Sequence, residues 1–239
     1  MRKLSLAEPV TELRKIKIVD NGEPLVDFLQ HCPGLLQDKP RFNYRRETLL
    51  RQTAADKLCQ ANNSLPAGYQ IAIVEGWRAP HIQRRMYMSA WKRWKEKHPD
   101  WSDVQLKRVV NRFTAPLHDR VPPPHSTGGA MDVALVNAAG EAYDLRSGYE
   151  MFDPAGFSLA APKLTDEARK NRQILAAAME GAGITNYPSE FWHYSYGDQG
   201  WAYRGGYANA IYDRITPDNW TPEPADLVDE PLVFIERPD

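Results

Sequence analysis

Apolar residues recur along this chain at two spacings, and the spacings divide it into helical and extended segments. Over residues 46–62, Leu49, Leu50, Ala54, Leu58 and Ala61 fall three or four apart, which predicts an amphipathic helix. The run "GYQIAIVEGW" is apolar without that period, is broken by Gly76 and predicts a buried strand ending at Arg78. Two helices are expected between residues 80 and 113, parted at "HPDWSD". Pro99 stops the first, and Ser102 followed by Gln105 has the form of a capping box for the second. A strand is predicted over 131–137, after a proline lead-in and the glycine turn of "VPPPHSTGGAMDVALVN". The clearest helix is "LTDEARKNRQILAAAMEGAGI", with Thr165 as N-cap, Asp166 and Glu167 in its first turn and Gly181 or Gly183 ending it. "FWHYSYG" then supplies another strand. Helices and strands in this non-alternating order predict an α+β fold with a central antiparallel sheet flanked by helices.

Composition narrows the partners. Thirty basic against thirty-one acidic side chains leave a formal charge of −1, so the chain carries no electrostatic footprint for nucleic acid or anionic membrane. The basic residues of the segment 91–112 read as the solvated face of helices whose other side holds Trp91, Trp94, Leu106 and Val110. No run reaches the roughly 20 apolar residues of a membrane span, and the N-terminus alternates apolar with charged residues, unlike a signal peptide. A soluble, cytoplasmic protein is expected, with a small partner. The 239 residues show no linker and predict one domain: 1–45 as an N-terminal extension packing on the core, and 217–239 as a Pro-rich acidic tail wrapping the surface. Cys32 and Cys59 have no metal or redox spacing and are expected to be reduced, a disulfide being possible but unneeded.

The chemistry concentrates on a few polar residues in apolar surroundings. Asp132 sits in "AMDVALV", where an ionised carboxylate is costly unless paired or bound to a metal. On a strand it shares a face with Ala134 and Val136, which leaves room beside it, whereas Met131, Val133 and Leu135 point the other way. His125 lies an odd seven residues earlier, but "STGG" intervenes, and a turn there can bring the imidazole over Asp132. In "NYPSEFWHYSYGDQGW" the parity works similarly: with the strand starting after Glu190, His193 points inward and Glu190 overhangs from the turn. Two imidazoles and one carboxylate form a three-ligand set for catalytic zinc, with Glu190 placed as a base. Arg78 at its strand end is a candidate to stabilise an oxyanion. His31, His81, His98 and His118 lack matching partners and read as surface or packing residues. The helical H-E-x-x-H pattern, a phosphate loop and a G-x-S-x-G elbow are all absent from the sequence.

Taken together, "EGWRAPHIQ", "PPHSTGGAMDVALVN" and "NRQILAAAMEGAGITNYPSEFWHYSYGDQGWAY" resemble the D-alanyl-D-alanine dipeptidases, zinc enzymes of peptidase family M15, which includes the vancomycin-resistance dipeptidase. The resemblance spans about residues 46–212. It implies zinc, one per chain, on His125, Asp132 and His193 at the sheet, with Glu190 as catalytic base and acid, and Arg78 as transition-state stabiliser. It also implies a D-Ala-D-Ala substrate of cell-wall metabolism, whose ammonium group would meet Asp153 in "MFD", with Trp192 walling the substrate. Tyr44 is a candidate for a substrate-side tyrosine of the family. Pro123 stands where resistance-type members carry a substrate-contacting Ser. Two alternatives remain at this stage: a D,D-carboxypeptidase acting on longer peptidoglycan peptides, and a non-catalytic zinc-stabilised binding domain.

Overall fold

The computed structural model describes residues 8–118, 120–150 and 153–235. In chain order its elements are α1 (Val10–Leu13), β1 (Lys17–Ile18), β2 (Leu25–Asp27), α2 (Phe28–His31), β3 (Leu36–Gln37), β4 (Leu49–Arg51) and α3 (Gln52–Ser64). There follow β5 (Gln70–Glu75), α4 (Pro80–Lys97), α5 (Asp103–Phe113), β6 (Ala130–Val136), α6 (Asp166–Gly181), β7 (Thr185–Asn186), β8 (His193–Ser195), α7 (Gln199–Gly205) and β9 (Asn209–Ala210). Five strands form one sheet in the order β3-β5-β6-β8-β7. Its pairings from β5 to β7 are antiparallel, but β3 joins β5 in parallel, so the sheet is mixed rather than wholly antiparallel.

Strand parity sorts the two faces of this sheet. Met131, Val133 and Leu135 of β6 join Ile71, Ile73 and Tyr194 in the main hydrophobic core. Helices α3 and α6 cover that face, contributing Ala54, Leu58, Leu175 and Met179. Each such side chain, fully buried, contributes about 1.5–3 kcal/mol for the larger apolar residues. Asp132 and Ala134 point to the opposite face, as alternation requires. The expected caps are present: Ser102 and Gln105 form a reciprocal capping box on α5, and Thr165 accepts from the backbone N–H of Ala168 on α6.

Three expectations change. The helix anticipated from residue 46 starts only at Gln52, because Leu49–Arg51 pairs as strand β4 with β2. Tertiary bonds hold that stretch extended: Leu49 O accepts from Trp77 N at 2.8 Å and Arg51 N donates to Gly128 O at 2.8 Å. The buried Arg51 guanidinium adds an ion pair to Asp20 at 2.7 Å. Cys32 and Cys59, expected to be reduced, are joined in a disulfide that ties the end of α2 to α3. The tail, expected to be extended, includes a short 3-10 turn at Pro224–Asp226, and Arg85 and Ser89 of α4 donate to its Glu230 and Leu232 carbonyls at 2.9 Å each. Its last residues, 236–239, lie outside the described residues.

Candidate active site

The glycine pair after His125 shapes the floor of the site. Residues Pro124–Thr127 form a 3-10 turn that ends at Gly128 in the left-handed region, φ +73°, a conformation glycine adopts without penalty. A Cβ on the next glycine, Gly129, would stand 2.2 Å from Tyr196 O, so only glycine lets β6 start beside that strand. The reversal carries the His125 ring back over β6, where Nε2 lies 3.4 Å from Asp132 Oδ1. From the other side β8 pairs with β6 so that His193 is the register partner of Asp132, and His193 Nδ1 lies 2.9 Å from the same oxygen. One ligand atom from each of the three residues lies within 4.8 Å of the others.

His125 and Asp132 suit a metal in their protonation states as well as their spacing. His125 Nδ1 is 2.9 Å from the carbonyl of Gly76; as the carbonyl can only accept, Nδ1 carries the hydrogen and Nε2 keeps its lone pair. Burial, with the Arg78 charge, lowers the His125 pKa to about 4, so the ring is neutral, the form that ligates. Burial acts to raise the Asp132 pKa, but the contacts with the two histidine rings, His125 foremost, outweigh it and hold the carboxyl well below its ordinary value. Asp132 is thus ionised.

Glu190 stands in the turn before β8. Its backbone N–H donates to Tyr187 O, and buried Asn186 donates its side-chain amide to both Glu190 O at 2.9 Å and His193 O at 3.0 Å. That amide clamps the turn to the strand, fixing Glu190 relative to His193. Burial, then the charge of Asp132, pushes the Glu190 pKa well above the usual carboxylate range. Arg78 lies buried just beyond β5, with Nη2 3.8 Å from Asp132 Oδ2 and 3.6 Å from Glu75 Oε2. Although burial opposes its charge, Glu75, Tyr44 and Asp132 outweigh that effect and raise its pKa, so it is permanently cationic.

These groups open into a cavity of about 370 Å³. His125, Asp132, His193, Glu190, Arg78 and Trp192 all line it. Trp192 stacks edge-on against Phe157 with centroids 4.9 Å apart. Asp153 is not brought to the cavity wall: its Oδ1 accepts from Ala155 N at 2.9 Å, while the adjacent Pro154 does line the cavity. Met151 and Phe152 of the same motif lie outside the described residues. Among the other histidines, His98 stacks on Trp101 with Trp94 alongside both, His31 pairs with Asp56, and His118 lines the cavity without belonging to the triad.

Glu75, Tyr44 and Gln83 also line the cavity, and the sequence reading left Glu75 and Gln83 unassigned. Glu75 carried a usable signal, since a carboxylate closing the apolar run "QIAIVE" invites the argument made for Asp132. Its face, however, depends on a β-bulge: Ile73 pairs with Val133, yet Glu75 pairs with Asp132, so the register slips by one and turns Glu75 from the core to the site.

Residues 36–216 match the family described as peptidase M15, D-Ala-D-Ala dipeptidase. A D-alanyl-D-alanine dipeptidase of Synechocystis sp. is 25% identical over 246 residues, covering 90% of this chain and 96% of the relative. One of Escherichia coli K12 is 31% identical over 70 residues, covering 29% of this chain and 36% of the relative. With the family match running from β3 through His125, Asp132 and His193 and past β9, the chain belongs to the D-Ala-D-Ala dipeptidase family of M15 metallopeptidases.

Proposed function

We propose that this protein is a zinc-dependent D-alanyl-D-alanine dipeptidase that hydrolyses D-Ala-D-Ala to two D-alanines. The observation that carries the reading is the convergence of His125, Asp132 and His193 on one point of a cavity also lined by Glu190 and Arg78. Two imidazoles and an ionised carboxylate fit zinc, and these three residues would hold it. Zinc bound there would lower the pKa of a water toward about 7 and polarise the scissile carbonyl. Glu190, whose burial strengthens its hold on a proton, takes the proton of the attacking water and returns it to the leaving amino group. Arg78 offers fixed N–H donors to the oxyanion that develops on the carbonyl. Trp192 and Phe157 wall the cavity and limit water. Asp153, next to the cavity-lining Pro154, is the carboxylate this reading assigns to the substrate's free ammonium group.

A second reading, a D,D-carboxypeptidase trimming longer cell-wall peptides, draws support from the Cys32–Cys59 disulfide. Disulfides persist in oxidising compartments, where such a substrate lies, and are rare in the cytosol expected from the sequence. The deciding experiment offers D-Ala-D-Ala, L-Ala-L-Ala and an N-acylated pentapeptide ending in D-Ala-D-Ala to the zinc-loaded protein, with and without a chelator. Chelator-sensitive cleavage of D-Ala-D-Ala alone is the expected result. Preference for the pentapeptide overturns the dipeptidase assignment, and no bound zinc after supplementation overturns both.

A further inference from the structure

Arg78 is held from two sides, and the second side has no counterpart in the reaction chemistry described above. Its Nη2 faces the carboxylates of Glu75 and Asp132. Its Nη1 donates to Gln83 Oε1 at 2.8 Å, and Gln83 Nε2 donates in turn to the carbonyl of Ala115 at 2.7 Å. Gln83 is 3% exposed, in the first turn of α4, and Ala115 lies just beyond the end of α5. The two ends of this bridge have opposite demands. A guanidinium can only donate and a carbonyl can only accept, so the side chain between them must present one acceptor and one donor at the right length. A glutamine meets that demand in one orientation only. A glutamate would set a carboxylate against the Ala115 carbonyl, a methionine would leave both ends unpaired, and an asparagine is one methylene short.

Two carboxylates, of Glu75 and Asp132, face Nη2 at ion-pair distances of 3.6 and 3.8 Å, longer than hydrogen bonds. Tyr44 adds a hydrogen bond to the guanidinium, and the short Gln83 contact fixes Nη1 and with it the rotation of the guanidinium plane. We propose that Gln83 is a positioning residue that aims Arg78 at the oxyanion by anchoring it to the end of the α4–α5 hairpin. The inference rests on the dipeptidase reading of the site, in which Arg78 acts on the transition state. A role confined to the transition state predicts a fall in kcat with KM preserved.

The test is a double-mutant cycle on the zinc-loaded protein with D-Ala-D-Ala, using Gln83→Met, Arg78→Lys and the combined variant, with zinc content and thermal melting measured on each. Gln83→Met is expected to lower kcat by about 10- to 100-fold, the scale of a misplacement near 1 Å. KM should stay within about twofold and zinc content unchanged. In the Arg78→Lys background the same substitution should cost less than about twofold more, because its route of action is already broken. An unchanged kcat in Gln83→Met, or losses that multiply in the double variant, overturns the inference while leaving the dipeptidase reading intact. An unmutated protein that leaves D-Ala-D-Ala uncut overturns both. Should the methionine variant fail to fold, Gln83→Asn takes its place in the same cycle, with the same outcomes.

Discussion

The Cys32–Cys59 disulfide closes a loop of sequence separation 27, and that loop carries Arg41, Phe42, Tyr44 and Arg46, all of which line the active-site cavity. Cross-linking a loop of this length removes conformational entropy from the denatured chain worth about 3.5 kcal/mol at 25 °C. Replacing both cysteines by alanine returns that freedom and leaves Cys32's buried place in the core slightly underfilled. For a chain of this size each kcal/mol moves the melting temperature by about 2–4 °C, so the Cys32→Ala/Cys59→Ala variant should melt about 7–14 °C lower. Urea denaturation of the oxidised protein, the double variant and the protein reduced with dithiothreitol gives the comparison. The variant and the reduced protein should share a lower midpoint and a larger m-value, since a denatured state without the cross-link is less compact. If the oxidised protein and the alanine variant unfold at the same midpoint, the loop-entropy reasoning fails.

The chemical assignments make further predictions. Glu190→Gln should keep about one zinc per chain, measured by metal analysis, while kcat falls about 10³-fold, within the range general acid–base groups supply. His193→Ala should lose the metal along with activity, because two of the three ligands do not hold zinc at the same affinity. Glu190 also predicts a pH effect in the metal-free protein. Its folded pKa is raised above the unfolded value, so the stability it contributes is present below about pH 4.5 and is lost as pH rises through the folded pKa. Urea midpoints of chelator-treated protein should therefore fall with rising pH relative to those of chelator-treated Glu190→Gln, and parallel curves would refute the burial argument. Gly129→Ala should destabilise the fold by about 1–3 kcal/mol, because the added Cβ meets Tyr196 O and the Tyr212 ring and neither is a flexible chain end. Thermal melting measures that loss.

Much of the site was legible because period-two alternation is a local rule. Asp132 among apolar neighbours, small residues on its own face and large ones on the other, was enough to place the carboxylate away from the core, and the core does hold Met131, Val133 and Leu135. His125 and His193 followed from where a turn interrupts the alternation: at "STGG" in one case and before Phe191 in the other. The helix caps were equally local. What stayed hidden depends on partners distant in sequence. The chain at Leu49–Arg51 has helical spacing but is drawn out by bonds to Trp77, Gly128 and Asp20, and no pattern within residues 46–62 records those. The disulfide needed the loop between α2 and α3 to fold back on itself.

The β-bulge joins the two cases. Read with strict alternation, Glu75 shares a face with Ile71 and Ile73 and belongs to the hydrophobic core, where its charge would be untenable. That contradiction was present in the sequence and signalled that the alternation must break near Val74. Breaking it puts a third carboxylate beside Asp132 and Glu190, which by itself would make an ionised site costly. Arg78 offsets that repulsion, and only a buried arginine fixed from both sides can do so while presenting donors to a substrate. The orphan acid at the end of β5, the arginine three residues on and the glutamine that orients it are thus one requirement in three places. Removing that acid, with Glu75→Gln, should therefore lower activity while zinc stays bound. Zinc content near one per chain together with a reduced kcat is the expected result. Full activity in Glu75→Gln would refute the dependence of Arg78 on Glu75.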